Sequence, residues 1–234
     1  MQLLMPEAKT VKVMIVEDHP LFSKGIISLL AGRSGYCVVG EAVNLSEAMK
    51  IARQEKPALA IVDISLGEEN GMDLIPQFKS LDPNMVILVL SMHDERYYAA
   101  RVLRLGARGY IMKTEPPPKV MEAIKTVMSG KVYLSDSERE RILEAMTGEN
   151  QRGVKEWTAS MRKLSDRELQ VFSCVGKGLG TSEIAQKLGL STKTIDTHKE
   201  HIKLKLHCES SHDLRRFAIE WVNHPDLPHY RENP

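Results

Sequence analysis

The chain has 234 residues, 42% of them apolar, which is enough for one large or two ordinary hydrophobic cores. Its formal net charge of +1 excludes a global basic field, so any surface for nucleic acid must be local. Three cysteines, Cys37, Cys174 and Cys208, are odd in number and lack CxxC spacing, which argues against a disulfide framework or a zinc site.

The N-terminus MQLLMPEAKT carries no basic segment followed by an apolar core, and no run of about 18 apolar residues occurs, so a cytoplasmic protein without a membrane partner is expected. From there, short apolar runs alternate with helix-length segments: VKVMIV at 11–16, CVVGEA at 37–42, ALAIVDI at 58–64, MVILVLS at 85–91 and GYIMK at 109–113. These Val- and Ile-rich runs lack polar alternation, as parallel strands covered on both faces do. The fold expected for residues 10–134 is a doubly wound α/β, five-stranded parallel sheet. The segments between the runs are amphipathic: Leu21, Phe22, Ile26, Leu29 and Leu30 form one stripe, and Ala99, Val102, Leu103 and Leu105 another. Pro116 to Pro118 open a fifth helix that Gly130 ends.

Between 135 and 160 the pattern weakens. A short charged helix around Arg139 to Glu144 and the polar stretch TGENQRGVKE read as a partly helical linker. After Met161 the periodicity is helical. Ser165 and Glu168 make a capping box, Thr181 or Ser182 caps a second helix stopped by Gly189, Ser191 caps a third running to about Leu206, and Ser210 or Ser211 caps a fourth. Four short helices with a tight turn at GLS suggest an all-α helix-turn-helix domain over 161–225, followed by a tail at 226–234. Residues 161–234 carry 12 basic and 10 acidic side chains, a net +2, and six of the eight histidines.

The chemistry concentrates at strand ends. Glu17 and Asp18 follow the first strand, Asp63 the third, Ser91 the fourth and Lys113 the fifth, so all five face the crevice where open parallel sheets bind ligands. Converging carboxylates raise each other's pKa unless a cation neutralises them, and Mg2+ accepts such hard oxygen ligands while keeping waters that a phosphate replaces. Asp63 is therefore the candidate nucleophile for a phosphoryl group, Lys113 a partner for its oxygens, Ser91 a hydroxyl donor and Tyr110 a side chain able to fill space that Ser91 vacates. His93, two residues past Ser91, reads first as a solvent-facing loop histidine and second as a neighbour of the phosphoryl group.

The segments EDHP, AIVDIS, VLSMHD and GYIMK resemble the motifs of response-regulator receiver domains. LSDRELQVFSCVGKGLGTSEIAQKLGLSTKTIDTHKEHIKLKL resembles the LuxR-type helix-turn-helix, and the two together resemble NarL/FixJ-type two-component response regulators. That resemblance implies Asp63 as phosphoacceptor of a sensor histidine kinase, Asp18, Asp63 and the carbonyl of Ser65 as Mg2+ ligands, Glu17 as a water-mediated one, and Ser91, Tyr110 and Lys113 as the switch. It further implies a transcription factor, not an enzyme, that binds double-stranded DNA as a homodimer. Lys193, Asp196, Thr197, Glu200 and Lys203, flanked by Thr192, Lys199, His201 and Lys205, are the expected DNA-facing residues, and Leu214, Phe217 and Trp221 the expected dimer face. Asp196 and Glu200 stand where nitrate-responsive relatives carry lysines, so those base contacts do not transfer. An aspartate-nucleophile phosphatase of the haloacid-dehalogenase type is the rival reading, but it needs an acid where this chain has Ser65; an RNA-binding antiterminator is a second rival.

Overall fold

The computed structural model describes residues 10–147 and 161–223, apart from 34, 68 and 162; the part 148–160 of the linker expected at 135–160, the last two residues of the helical domain expected at 161–225 and the tail at 226–234 lie outside them. The chain forms two compact units, 1–142 and 143–234.

In the first unit the strands are β1 (Val11–Val16), β2 (Tyr36–Ala42), β3 (Leu59–Val62), β4 (Ser65–Leu66), β5 (Glu69–Asn70), β6 (Val86–Ser91) and β7 (Gly109–Met112). The helices are α1 (Pro20–Ala31), α2 (Leu45–Glu55), α3 (Leu74–Leu81), α4 (Glu95–Leu105), α5 (Pro117–Met128) and α6 (Asp136–Thr147). Five strands form one parallel sheet in the order β2-β1-β3-β6-β7, the doubly wound architecture that the apolar runs predict. Val13 to Val16, Leu59 to Val62 and Ile87 to Leu90 are all buried, so both sheet faces are covered; β2, at the edge, is only half-buried. One face packs Val13, Ile15, Ile61, Leu88 and Ile111 against Ile26 and Leu30 of α1 and Ile124 and Val127 of α5.

Three features depart from the sequence reading. β4 and β5 pair as a two-residue antiparallel hairpin just after Asp63, too short to show any period in sequence. Tyr133 lies alongside β7 as a single parallel bridge to Gly109, with its carbonyl accepting from Tyr110 N (3.1 Å). Finally, α6 begins at Asp136, three residues before the charged run expected to form it, because Ser135 caps it through Oγ to Glu138 N (3.2 Å).

Backbone contact is closest at Gly71, whose amide donates to Ile64 O (2.8 Å) and where a Cβ would stand 1.8 Å from Asp63 O. This glycine lets the chain leaving the hairpin pass directly over the residue at the head of the site.

The second unit contains α7 (Asp166–Gly176), α8 (Thr181–Leu188), α9 (Thr192–Leu206) and α10 (Ser211–Asn223). The expected capping box is present on α7, with Ser165 and Glu168 bonded reciprocally. The cap of α8 is Gly180, one residue before the Thr181 or Ser182 that the pattern suggests, and Glu183 Oε2 accepts its amide (2.7 Å). Gly189 turns the chain in the left-handed region (φ 64°) and Ser191 caps α9. Phe172 of α7 meets Phe217 and Trp221 of α10, with ring centroids 5.9 and 5.2 Å apart.

Gly71→Ala is expected to cost about 1–3 kcal/mol, the usual range for overpacking, because the methyl must displace the Asp63 carbonyl. Urea denaturation checks this: the midpoint falls with little change in slope.

Candidate functional site: an acidic pocket and a helix-turn-helix

Parallel register builds the pocket. Val16 pairs with Val62 and Val62 with Val89, so the residues that follow β1, β3 and β6 emerge side by side. The ladder extends one step past the strands: Glu17 N donates to Ala42 O, Asp63 N to Val16 O and Lys113 N to Ser91 O, at 2.8 to 2.9 Å. The functional side chains are thus fixed at their backbones before any of them interacts.

Lys113 lies between two carboxylates, bonding Asp63 Oδ2 at 2.8 Å and Glu17 Oε2. All three side chains are at most 3% exposed, and the Phe22 ring lies 4.6 Å from the ammonium. Burial raises the Glu17 carboxyl above its ordinary value, Asp63 adds to the rise, and Lys113 opposes it. Asp18 is half-buried and anchored by Gly67 N to Oδ2 (2.7 Å), while His19 Nδ1 approaches Glu17 Oε1 (3.0 Å) and Asp18 Oδ1 (2.8 Å). Asp63 Oδ1 is buried with no hydrogen-bond partner among the described residues.

The residue set fits a hard divalent cation. Ligand atoms of Glu17, Asp18, His19 and Asp63 all lie within 4.8 Å of one another, most are carboxylate oxygens, and Asp63 Oδ1 is a buried anionic acceptor without a donor.

Ser91 is fully buried, and its Oγ accepts from His93 N (3.3 Å). Tyr110 is buried too, its hydroxyl donating to His93 O (2.7 Å). Burial raises the Tyr110 phenol well above its ordinary value, so it stays a donor. His93 departs from the solvent-facing reading: it is half-buried, its Nε2 stands 2.9 Å from Ser65 Oγ, and its ring lies 4.9 Å from that of Tyr98. That contact spans 28 positions and leaves no periodic trace. The contact of Phe22 with the Lys113 ammonium likewise leaves no local trace, since its spacing shows only an apolar stripe.

In the second unit, Ile195, Ile202 and Leu206 are the buried side of α9, and Thr192, Lys193, Asp196, Thr197, Glu200 and His201 are exposed. The remaining lysines of the expected DNA face differ from the sequence reading. Lys205 stays 39% exposed along its side chain, but its ammonium bonds both oxygens of buried Glu168 (2.9 and 2.6 Å), so its charge is already engaged within the unit. Lys199 bonds Thr181 Oγ1 (2.6 Å) and Lys203 pairs with Glu200 (2.8 Å). A short-range period assigns faces but is blind to an acid 37 positions away. Leu214 and Trp221, expected on a dimer face, are each 2% exposed in the folded chain, Trp221 against Phe172, whereas Ile219 on the same helix is exposed. Phe217 is half-buried against Phe172.

Residues 13–125 match the response regulator receiver domain model, and residues 162–218 match that of the bacterial regulatory proteins of the luxR family. The oxygen regulatory protein NreC of Staphylococcus carnosus is 31% identical over 210 residues, which cover 89% of this chain and 97% of that protein. The chain belongs to the NarL/FixJ-type response regulators. It is a two-component transcription regulator with a receiver and a LuxR-type DNA-binding domain. An inferred transcriptional regulator of Pseudomonas aeruginosa is 36% identical over 207 residues, 88% of this chain and 96% of its own. Among solved structures, RcsB of Salmonella enterica serovar Typhimurium, bound to promoter rprA in the presence of phosphomimetic BeF3-, is similar with TM-score 0.58 and 25% identity over 90% of this chain and 99% of that one. Among the described residues, no helix is long and apolar enough to cross a membrane.

Buried Glu168, paired with Lys205, ties the stability of the second unit to a carboxylate's charge. Burial pushes its carboxyl up, but Lys205 and Ser165 outweigh that and hold it below its ordinary value. The ionised form therefore stabilises above the unfolded value, and this contribution is lost as pH falls from 4.5 through the lower folded one. Glu168→Gln is expected to lower the melting temperature at neutral pH, with the gap to the native chain narrowing below pH 4.5 in a calorimetric series.

Proposed function

We propose that this regulator is switched by phosphorylation of Asp63 by a sensor histidine kinase, with Mg2+, and that the switch governs dimerisation and binding to two-fold DNA operators. The observation that carries the reading is the asymmetry of Asp63: one oxygen is held by Lys113 and the other is buried without a donor. An oriented carboxylate with a free lone pair is a nucleophile for phosphorus.

In this reading the Asp63 carboxylate attacks the incoming phosphoryl group, forming an acyl phosphate as the P–N bond to the kinase histidine breaks. Lys113 lies beside the new phosphoryl oxygens and exchanges part of its pairing with the carboxylates for them. Asp18, Asp63 and Ser65 would hold Mg2+, with Glu17 behind them; when bound, the ion neutralises charge developing on the phosphoryl oxygens. Ser91 gives up the amide of His93 to donate to a phosphoryl oxygen, and Tyr110 follows the loop through its bond to the His93 carbonyl. The chain's own part ends with making and losing this acyl phosphate.

For DNA, Lys193 and the exposed ridge Asp196, Thr197 and Glu200 of α9 would enter the major groove, with Thr192 and His201 at its flanks. Lys199 and Lys203 stay near the backbone once released from Thr181 and Glu200. Self-association would use the outward side of α10, where Ile219 is exposed.

Acetyl phosphate with Mg2+ is expected to add one phosphoryl mass to the native chain and none to Asp63→Asn, read by intact mass spectrometry; an unchanged native mass removes the chemistry. Glu200→Lys adds a cation and frees Lys203, so affinity for non-specific duplex DNA should rise and the slope of log K against log salt steepen by about 1–2. A salt-controlled fluorescence titration measures both, and an unaltered slope argues against this ridge facing phosphates.

A further inference from the structure

The loop from Ser91 to Asp94 reaches beyond the pocket to a second set of contacts. Asp94 caps α4, accepting Arg96 N at 3.1 Å, and Glu95 follows as its first helical residue. Glu95 is 7% exposed, although an acid in a first turn ordinarily faces water. It is aimed instead at the root of α6, where Oε1 accepts Ser135 N at 2.9 Å. Ser135 is itself the cap of α6, giving its carbonyl to Arg139 N (3.0 Å) and its Oγ to Glu138 N (3.2 Å). One helical turn on, Arg141 donates to Arg96 O (3.0 Å) of α4 and forks onto Glu138 (2.8 and 2.6 Å), a carboxylate that is 2% exposed.

The chain just before Ser135 is held by a different element. Tyr133 N donates to Arg108 O and Tyr133 O accepts Tyr110 N, so it is laced to β7. Helix α6 is therefore tethered twice: its root to a strand of the rigid sheet, and its first turns to the start of α4, which lies two residues beyond His93. The loop bearing His93 is joined to Ser91, Tyr110 and Ser65, all at the pocket. A shift of that loop must carry Glu95 and the Arg96 carbonyl relative to Tyr133, and α6 can follow only by pivoting at its root or by losing the Ser135 bond. Helix α6 continues to Thr147, past residue 142 where the first compact unit ends.

We propose that Glu95, bonded to the α6 cap Ser135 and backed by Arg141 on the Arg96 carbonyl, is the positioning contact through which the state of the phosphorylation pocket reaches α6. The proposal rests on the switch reading above and names the contact that transmits it. Glu95 touches no reacting atom, and its removal leaves Asp63, Lys113 and the acids of the pocket in place.

The test is hydrogen–deuterium exchange on the full chain, with and without beryllofluoride and Mg2+ as the phosphoryl mimic. In the native chain, peptides covering 11–20 and 88–95 should gain protection and the peptide over 136–147 should change its exchange rate. In Glu95→Ala the pocket response should persist while the 136–147 response falls by roughly fivefold or more. Glu95→Ala could simply loosen α6 in both states, so two further variants decide. Glu95→Gln keeps an oxygen acceptor for Ser135 and should restore most of the response; Arg141→Met leaves the Ser135 bond intact and should weaken the response partially. An undiminished 136–147 response in both Glu95→Ala and Arg141→Met overturns the proposal, as does a native chain whose pocket responds while 136–147 does not. A native pocket that ignores beryllofluoride instead overturns the switch reading on which the proposal stands.

Discussion

One ammonium between two buried carboxylates sets the character of this receiver. Lys113 keeps Glu17 and Asp63 together in a water-poor crevice where, alone, they would repel and protonate. Such a triad is costly to desolvate, and a hydrophobic replacement would serve stability as well or better. On the phosphorylation proposed above, what it would provide is an exchangeable arrangement: the same cation stays on the carboxylates or moves to a phosphoryl group, with little net loss of charge pairing.

The sheet makes that exchange local. Because the ladder bonds run one residue past β1, β3 and β7, the backbones of Glu17, Asp63 and Lys113 are held independently of their side chains. Charge can shift from one partner to another without dragging strands. The loop after β6 is different, since Ser91 and His93 are connected to Tyr110, Ser65 and then to α4 by single side-chain bonds. Bonds of this kind have discrete alternatives, which is what coupling between distant sites requires.

The DNA-binding unit uses acids in a parallel way. Glu168 serves as half of a capping box and as the partner of Lys205, locking the end of α9 to the start of α7. Glu200 holds Lys203 and Thr181 holds Lys199, so much of the basic charge of α9 is internally engaged. A helix with four lysines thereby presents less free positive charge than its composition suggests, which on the DNA-binding reading proposed above favours selective over indiscriminate association with a polyanion.

Local chemistry in the chain was enough to define the five parallel strands, the carboxylates at their ends, the capping box at Ser165 and Glu168 and the buried side of α9. Each of these follows from an unbroken apolar run and the residues that end it, from a period of 3.6 residues, or from a cap three residues from its partner, and so is written within a short window. Tertiary packing alone decided the rest. The bond from Lys205 to Glu168, the burial of Leu214 and Trp221, the bond from His93 to Ser65 and the reach of Glu95 to Ser135 join positions 28 to 40 or more apart, or depend on which face of a helix meets another. Periodicity says that a side chain faces in or out. Only the folded chain, by bringing a partner within hydrogen-bonding distance, determines what it meets there.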